Sequence, residues 1–343
     1  YQGTAIKTRS FRILFPIALA AGLLTRAPES VAQDKPPAPA KTLSIATLAP
    51  PGSTWMKVFD AWNREIRRRS NGSLQLRFYP GGVQGDESEV IRKIRNGRLD
   101  GAAVTAVGLA QIHRPALVFQ MPGILRTYAQ LDAARDAITP EMNPKFAQAG
   151  FQLLGWADVG MSRVMSTNPV TKPADLGPRK PWVWRDDLVL PEFFKVVKSN
   201  PVPLQLPEVL GALQTNRVDT VITTPVAAVA LQWSSRVSHL LDFPLTIVIG
   251  GTVLGQKQWE GLSAEHKTIM TETAAQFHAL ARKNLRADET KALATIKERN
   301  IKVLTPSDSD KAAWLEVGKQ VRERLVGQIA DRALVDRVMT YAK

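Results

Sequence analysis

Two periods of apolar spacing succeed each other along the chain. "KTLSIATLA", from Lys41, alternates apolar and polar positions as a strand does, then turns through "PPGS". "TWMKVFDAWNREIRRRSNG" follows with helical spacing: Trp55, Val58, Phe59, Trp62 and Ile66 fall on one side. It closes at Ser-Asn-Gly, a left-handed helix stop. "LQLRFYP" reads as the next strand, "GGVQGD" as a glycine turn, and "ESEVIRKIRNG" as a short helix stopped again at Asn-Gly. "RLDGAAVTAVGLA" predicts a small-residue strand running into a loop, and "IVIGGTVLGQ" a strand and a tight turn. Strand and helix alternate, so the predicted class is α/β.

Residues 263–300 carry helix-forming side chains without glycine or proline, which predicts one helix or a kinked pair. Residues 308–342 predict one or two helices more, and together these would brace the molecule from outside. Between the two halves there is an internal echo. "IRKIRNGRLDGAAVTAV" and "VLGALQTNRVDTVITTPV" both place an amphipathic helix, an Asn, an Arg, an aliphatic residue and an Asp (Asp100, Asp219) before a short buried strand ending in threonine. Two such units suggest two lobes, unless the likeness is that of two ordinary helix–turn–strand units. Ligands of open α/β sheets sit beyond the carboxyl ends of strands, where Thr105, Thr223 and Thr224 would fall.

Composition narrows the classes. Apolar residues make up 44% and charged residues 22% of the 343, a globular balance over a length sufficient for two domains. With no cysteine there is no disulfide and no thiolate metal site. The formal charge of +14, from 45 Lys+Arg against 31 Asp+Glu, invites a nucleic-acid or membrane-surface reading. The first segment changes this. Lys7, Arg9 and Arg12 precede an apolar run from Ile13 to Leu24 and small residues at Ser30 and Ala32, the pattern of a secretory signal peptide over residues 1–32 cleaved between Ala32 and Gln33. A Pro/Ala-rich spacer (33–41) follows. The expected location is outside the cytoplasm, away from genomic DNA, so no nucleic-acid partner is expected, and the scattered basic residues read as a solvated surface.

Catalytic constellations are scarce. His113, His239, His266 and His278 lie far apart, without metal-ligand spacing, and there is no GxSxG, P-loop or GxGxxG after the first strand. The pairs Asp86/Glu87 and Asp186/Asp187 sit in turn-like segments, where a capping or solvated role is expected. An enzyme using Asp86, Asp187 or Glu208 would lack a matched acid/base pair. No metal and no cofactor is therefore expected, and the chain reads as a binding protein rather than an enzyme. Aromatic residues near loop ends point the same way: Trp156, with Arg163 after "ADVGMS", and Gln232 with Trp233 at the end of a helix.

"VPLQLPEVLGALQTNRVDTVITTPVAA" resembles the solute-binding subunits of TRAP (tripartite ATP-independent periplasmic) transporters of the DctP type, which show a phrase like "EVYxALQTGxVDGxENP" after "DLKGLKIRVP". "PADLGPRKPWVW", Pro225, "YPGGVQGDESEVIRKIRNGRLD" and "NIKVLTPS" match further pieces, so the resemblance runs from about Lys41 to the C-terminus. It implies a two-lobed periplasmic-binding-protein fold (type II-like), with hinge strands and a long C-terminal bracing helix. Lobe 1 is expected over 42–160, lobe 2 with the hinge strands over 161–250, and bracing helices over 251–343. The implied partners are a small-molecule ligand, apolar or a monocarboxylate, and TRAP membrane permease subunits, with the protein a monomer or weak dimer.

Departures from the pattern bear on the ligand. Trp182 stands where the family usually has the arginine that clamps a substrate carboxylate, and on a strand Trp184 shares its face. Arg163, matching a second arginine of many members, is retained; it either anchors a ligand carboxylate or holds a structural one. Thr105 and Gly108 align near ligand-contacting positions, and Thr224 replaces an asparagine before proline. The expected ligand site comprises these residues with Trp55, Trp156, Leu206, Thr223, Gln232 and Trp233. It suits a ligand larger and more apolar than a C4-dicarboxylate, if Trp182 and Trp184 do not simply pack the hinge. The alternative is a conventional binder of a small organic acid anchored by Arg163.

Overall fold

The computed structural model describes residues 41–342, so the expected signal peptide and, apart from Lys41, the spacer lie outside the described residues. From Lys41 the chain builds three parallel strands linked by helices: β1 (Lys41–Thr47), α1 (Thr54–Arg69), β2 (Leu74–Tyr79), α2 (Glu87–Arg95) and β3 (Gly101–Thr105). β1 lies between the others, with Leu43 opposite Leu76 and Ile45 opposite both Phe78 and Gly101. Parallel neighbours need a crossover, and each helix supplies one. α1 buries Val58, Phe59, Trp62 and Ile66, as its spacing predicts, and ends where expected, with Asn71 and Gly72 at φ 48° and 80°. Trp62 is 1% exposed, so truncation to alanine would cost about 3–5 kcal/mol.

The expected loop after β3 is instead a short helix, α3 (Ala106–Ala110). Its caps explain the difference. The Thr105 side chain accepts from the Val107 amide, and the Glu87 carboxylate, from the start of α2, accepts from the Thr105 and Gly108 amides, both at 2.7 Å. A Cβ on Gly108 would lie 2.6 Å from Val104 Cβ, so the close approach of α3 to β3 requires glycine.

A 3-10 turn (114–120) and α4 (Tyr128–Gln148) lead to β4 (Phe151–Ser166), which serves both halves of the molecule. Then come β5 (Trp182–Trp184), α5 (Leu190–Val196), β6 (Val202–Leu204), α6 (Val209–Gln214), β7 (Thr220–Thr223), α7 (Pro225–Ala230), β8 (His239–Leu241) and β9 (Thr246–Gly255). β9 pairs antiparallel with β3 on one side and β4 on the other. The last residues of β4 pair with β7 and β8. β4 and β9 thus cross between two lobes, one around β1–β3 and one around β7 and β8, while β5 and β6 pair in parallel beside β7. No tight turn ends β9: its glycines lie within the strand, which passes directly into α8 (Gln256–Glu260).

α9 (Ala264–Glu298) is a single helix of 35 residues, one of the two outcomes its composition allowed. It braces the molecule through Trp62 Nε1, which donates to Thr273 Oγ1, and through ion pairs to β4. β10 (Lys302–Leu304), α10 (Asp308–Leu325) and α11 (Arg332–Thr340) complete the chain, β10 pairing with β8.

The internal echo is structural. After α2, the Arg98 and Leu99 amides both donate to the Lys93 carbonyl; after α6, Arg217 and Val218 both donate to Ala212. Asp100 then accepts from the Ser44 amide, and Asp219 from the Lys180 amide.

Candidate ligand-binding site

Beyond the carboxyl ends of β3 and β7 lies a cavity of ≈ 180 Å³, walled by both lobes and by β4 and β9. Thr105 and Thr224 stand at its opposite walls, each N-capping the helix that follows, Thr105 to Val107 N and Thr224 to Ala227 N. Thr223, Leu206 and Trp55 also line it. Trp55 opens α1 and is only partly buried, unlike the packed face beyond it.

Three indoles from the second lobe dominate one wall. Trp182 and Trp184 share a face of β5 with ring centroids 5.7 Å apart, and Trp233, from the 3-10 turn 233–236, meets Trp182 edge-on at 5.1 Å. All three are at least nine-tenths buried and belong to one apolar cluster with Leu204, Val218 and Val221, so they both pack the lobe and line the cavity. Each indole nitrogen of the β5 pair has a partner. Trp182 donates to the Leu204 carbonyl at 3.1 Å, and Trp184 to Asp86 Oδ2 at 2.8 Å.

The formally charged residues of the lining are Glu87, Asp158 and Asp187, all acidic. Burial pushes the Glu87 carboxyl up to about 7 against the pull of its donors, the Thr105 amide and hydroxyl and the Gly108 amide. Asp158 is 1% exposed and bound by Arg135 at 2.7 Å and by Arg286, which also grips Asp132. Asp187 caps α5 through Oδ1, accepting from Val189 N at 2.6 Å and Leu190 N at 3.2 Å, and burial raises its carboxyl. The capping roles expected for the two acidic pairs are met by Asp86 on α2 and Asp187 on α5. The solvated alternative is not met by Asp86 or Glu87, which are 8% and 2% exposed.

Four expected site residues stand apart from the lining. Arg163 is held by Glu289 of α9 at 2.9 Å, by Asp242 at 3.4 Å and by the Met161 carbonyl. Trp156 donates to Thr139 Oγ1 and packs against Phe119 and Phe146. Gly108 supports Glu87 through its amide. Gln232, in the left-handed region at φ 63°, turns the chain into Trp233, and its carbonyl accepts from Ser235 Oγ. Sequence reasoning missed Glu87 and Asp158 as lining residues, with Phe59, Phe193 and the Gly250–Thr252 stretch of β9. The glycines at 250 and 251 were the visible signal for the last, since they keep that wall free of side chains.

No group of three or more His, Cys, Asp or Glu suited to a metal ion occurs among the described residues, and no helix among them is long and apolar enough to cross a membrane.

Comparisons place this architecture. The family model described as DctP, bacterial extracellular solute-binding protein, family 7, matches residues 45–328. The chain is 25% identical over 288 residues to the 2,3-diketo-L-gulonate-binding periplasmic protein YiaO of Escherichia coli, covering 79% of this chain and 83% of that one. It is 24% identical over 283 residues to the ectoine/5-hydroxyectoine-binding periplasmic protein UehA of Ruegeria pomeroyi, covering 79% and 80%. Among solved structures, the sugar acid binding protein DctPAm of Advenella mimigardefordensis, in complex with galactonate, superposes with a TM-score of 0.83 at 20% identity, covering 89% of this chain and 98% of that one. A TRAP periplasmic solute-binding protein of Sulfurospirillum deleyianum with bound succinate gives a TM-score of 0.83 at 20% identity, covering 88% and 99%.

Proposed function

The chain belongs to the DctP family, family 7 of the bacterial extracellular solute-binding proteins, and from that premise we propose that its lobes close around one organic ligand more apolar than a C4-dicarboxylate. Members of the family bind small organic solutes and work with membrane permease subunits, and closure would present the loaded form to them. The carrying observation is the wall formed by Trp182, Trp184 and Trp233, combined with an Arg163 whose guanidinium is already held by Glu289 and Asp242. An indole offers large apolar area with a defined face, and each one covered by ligand contributes about 1.5–3 kcal/mol.

A second reading rests on the relatives. Three of the solved structures similar to this chain carry galactonate, succinate and D-glucuronate, all carboxylates. A small organic acid anchored by Arg163 would require Glu289 to release that guanidinium, at the cost of a buried pair.

Mass spectrometry of the organic extract of the purified, denatured protein separates the two. A stoichiometric apolar compound, lost in Trp182→Ala, is the expected result. An extract empty of apolar material, with melting raised by succinate in the native protein and not in Arg163→Ala, would establish the acid-binding reading instead.

A further inference from the structure

The charges on the cavity wall narrow the ligand further, given the apolar-cleft reading on which this step rests. We propose that the ligand is an organic cation, with a basic nitrogen placed at Asp187 and an apolar or aromatic body among the indoles. No lysine or arginine is among the lining residues, while three carboxyl groups are. The three are not equivalent. Asp158 is compensated by Arg135 and Arg286. Glu87 already accepts three hydrogen bonds from Thr105 and Gly108.

Asp187 differs from both. Its Oδ1 takes the Val189 and Leu190 amides, whereas Oδ2 has no donor among the described residues, and the residue lines the cavity. The turn in which the Asp187 amide donates to the Trp184 carbonyl at 3.1 Å follows directly on β5, and Asp187 lines the same cavity as the indoles. A cation in this cavity would thus have a spare acceptor oxygen and aromatic rings among the groups that line it. It would also offset the burial that raises the Asp187 carboxyl. A carboxylate ligand would meet like charge instead and find no free guanidinium, because Arg163 is closed off by Glu289.

The test uses three probes of one size that differ at the head group: 2-phenylethylammonium, 2-phenylethanol and phenylacetate, each titrated at pH 8 while tryptophan fluorescence is followed. The ammonium should bind at least tenfold more tightly than the alcohol, and phenylacetate most weakly. Asp187→Asn, which keeps the oxygen that caps α5, should bring the ammonium to within about twofold of the alcohol. If phenylacetate or the alcohol binds as tightly as the ammonium, or if the ratio survives in Asp187→Asn, the cation assignment is wrong while the apolar cleft stands. If all three fail and succinate binds, both are wrong.

Discussion

Trp184 reaches across the cleft to Asp86: an indole that lines the cavity from one lobe donates at 2.8 Å to the carboxyl that caps a helix of the other. Burial raises the Asp86 carboxyl. A ligand that presses on Trp184 therefore presses on a contact between the lobes. Trp184→Phe keeps most of the ring and removes the donor. A hydrogen bond to a charged group is worth about 1.5–3 kcal/mol, so affinity for the native ligand should fall roughly tenfold or more. The radius of gyration of the ligand-free variant, from small-angle scattering, should exceed that of the native protein; equal radii would deny Asp86–Trp184 a part in closure.

Trp182 is expected to be structural as well as ligand-facing. At 4% exposure, with its ring against Trp184 and Trp233, it should cost about 3–5 kcal/mol on truncation to alanine in chemical denaturation. Trp182→Phe should retain most of that stability yet still weaken ligand binding. A phenylalanine variant with native affinity would make Trp182 packing alone.

Arg163 and Glu289 form a buried pair at 9% and 8% side-chain exposure. Removing Glu289 leaves Arg163 only the longer contact to the more exposed Asp242 at 3.4 Å, so Glu289→Met should destabilise by about 3 kcal/mol. Arg163→Met combined with Glu289→Met should recover most of that loss. Additive losses in this double-mutant cycle would mean that the pair is not coupled.

Two buried groups set opposing pH dependences. Glu87 goes from 4.5 to about 7 on folding, so its contribution is favourable at low pH and is lost as pH rises from 4.5 through 7. His278 is enclosed by burial, with Nδ1 against the Ala274 carbonyl and Nε2 against Thr252 Oγ1, and goes from 6.5 to about 4. Its contribution is present above 6.5 and is lost as pH falls through 4. Each change corresponds to about 3 kcal/mol, and over pH 4.5–6.5 they nearly cancel. Asp86 and Asp187, also raised by burial, add to the Glu87 side, so urea denaturation should read each group as variant against native protein. Glu87→Gln should lose stability as pH falls across that range, and His278→Gln should lose it as pH rises. A level profile in both variants would contradict the assignment.

How much of this was legible depended on how far apart the partners lie. The stops at Asn71-Gly72 and Asn96-Gly97, the α1 face and the Trp182–Trp184 pairing follow from local spacing, and the structure keeps them. The α3 sequence reads as loop because part of the helix's capping comes from Glu87, 18 residues before Thr105. Arg163 and Asp158 depend on α9 side chains 126 and 128 residues away, for which the sequence has no signal. Along β4, register shifts between Leu153 and Gly155 and between Asp158 and Gly160 break the simple alternation of faces. Parity counted from the sequence therefore cannot relate Trp156 to Arg163.

The position of β9 also governs the order in which the protein can be built. β3 ends its sheet unpaired on one side until Val253 arrives opposite Ala102, and β4 waits for the same strand. Contacts between such distant parts of a chain carry a large loop-closure cost and form slowly. The first lobe therefore cannot complete its sheet while the chain is still being synthesised through its middle third. Its assembly is held back until residue 255 has emerged, whereas the second lobe pairs the end of β4 with β7 and β8 without that strand.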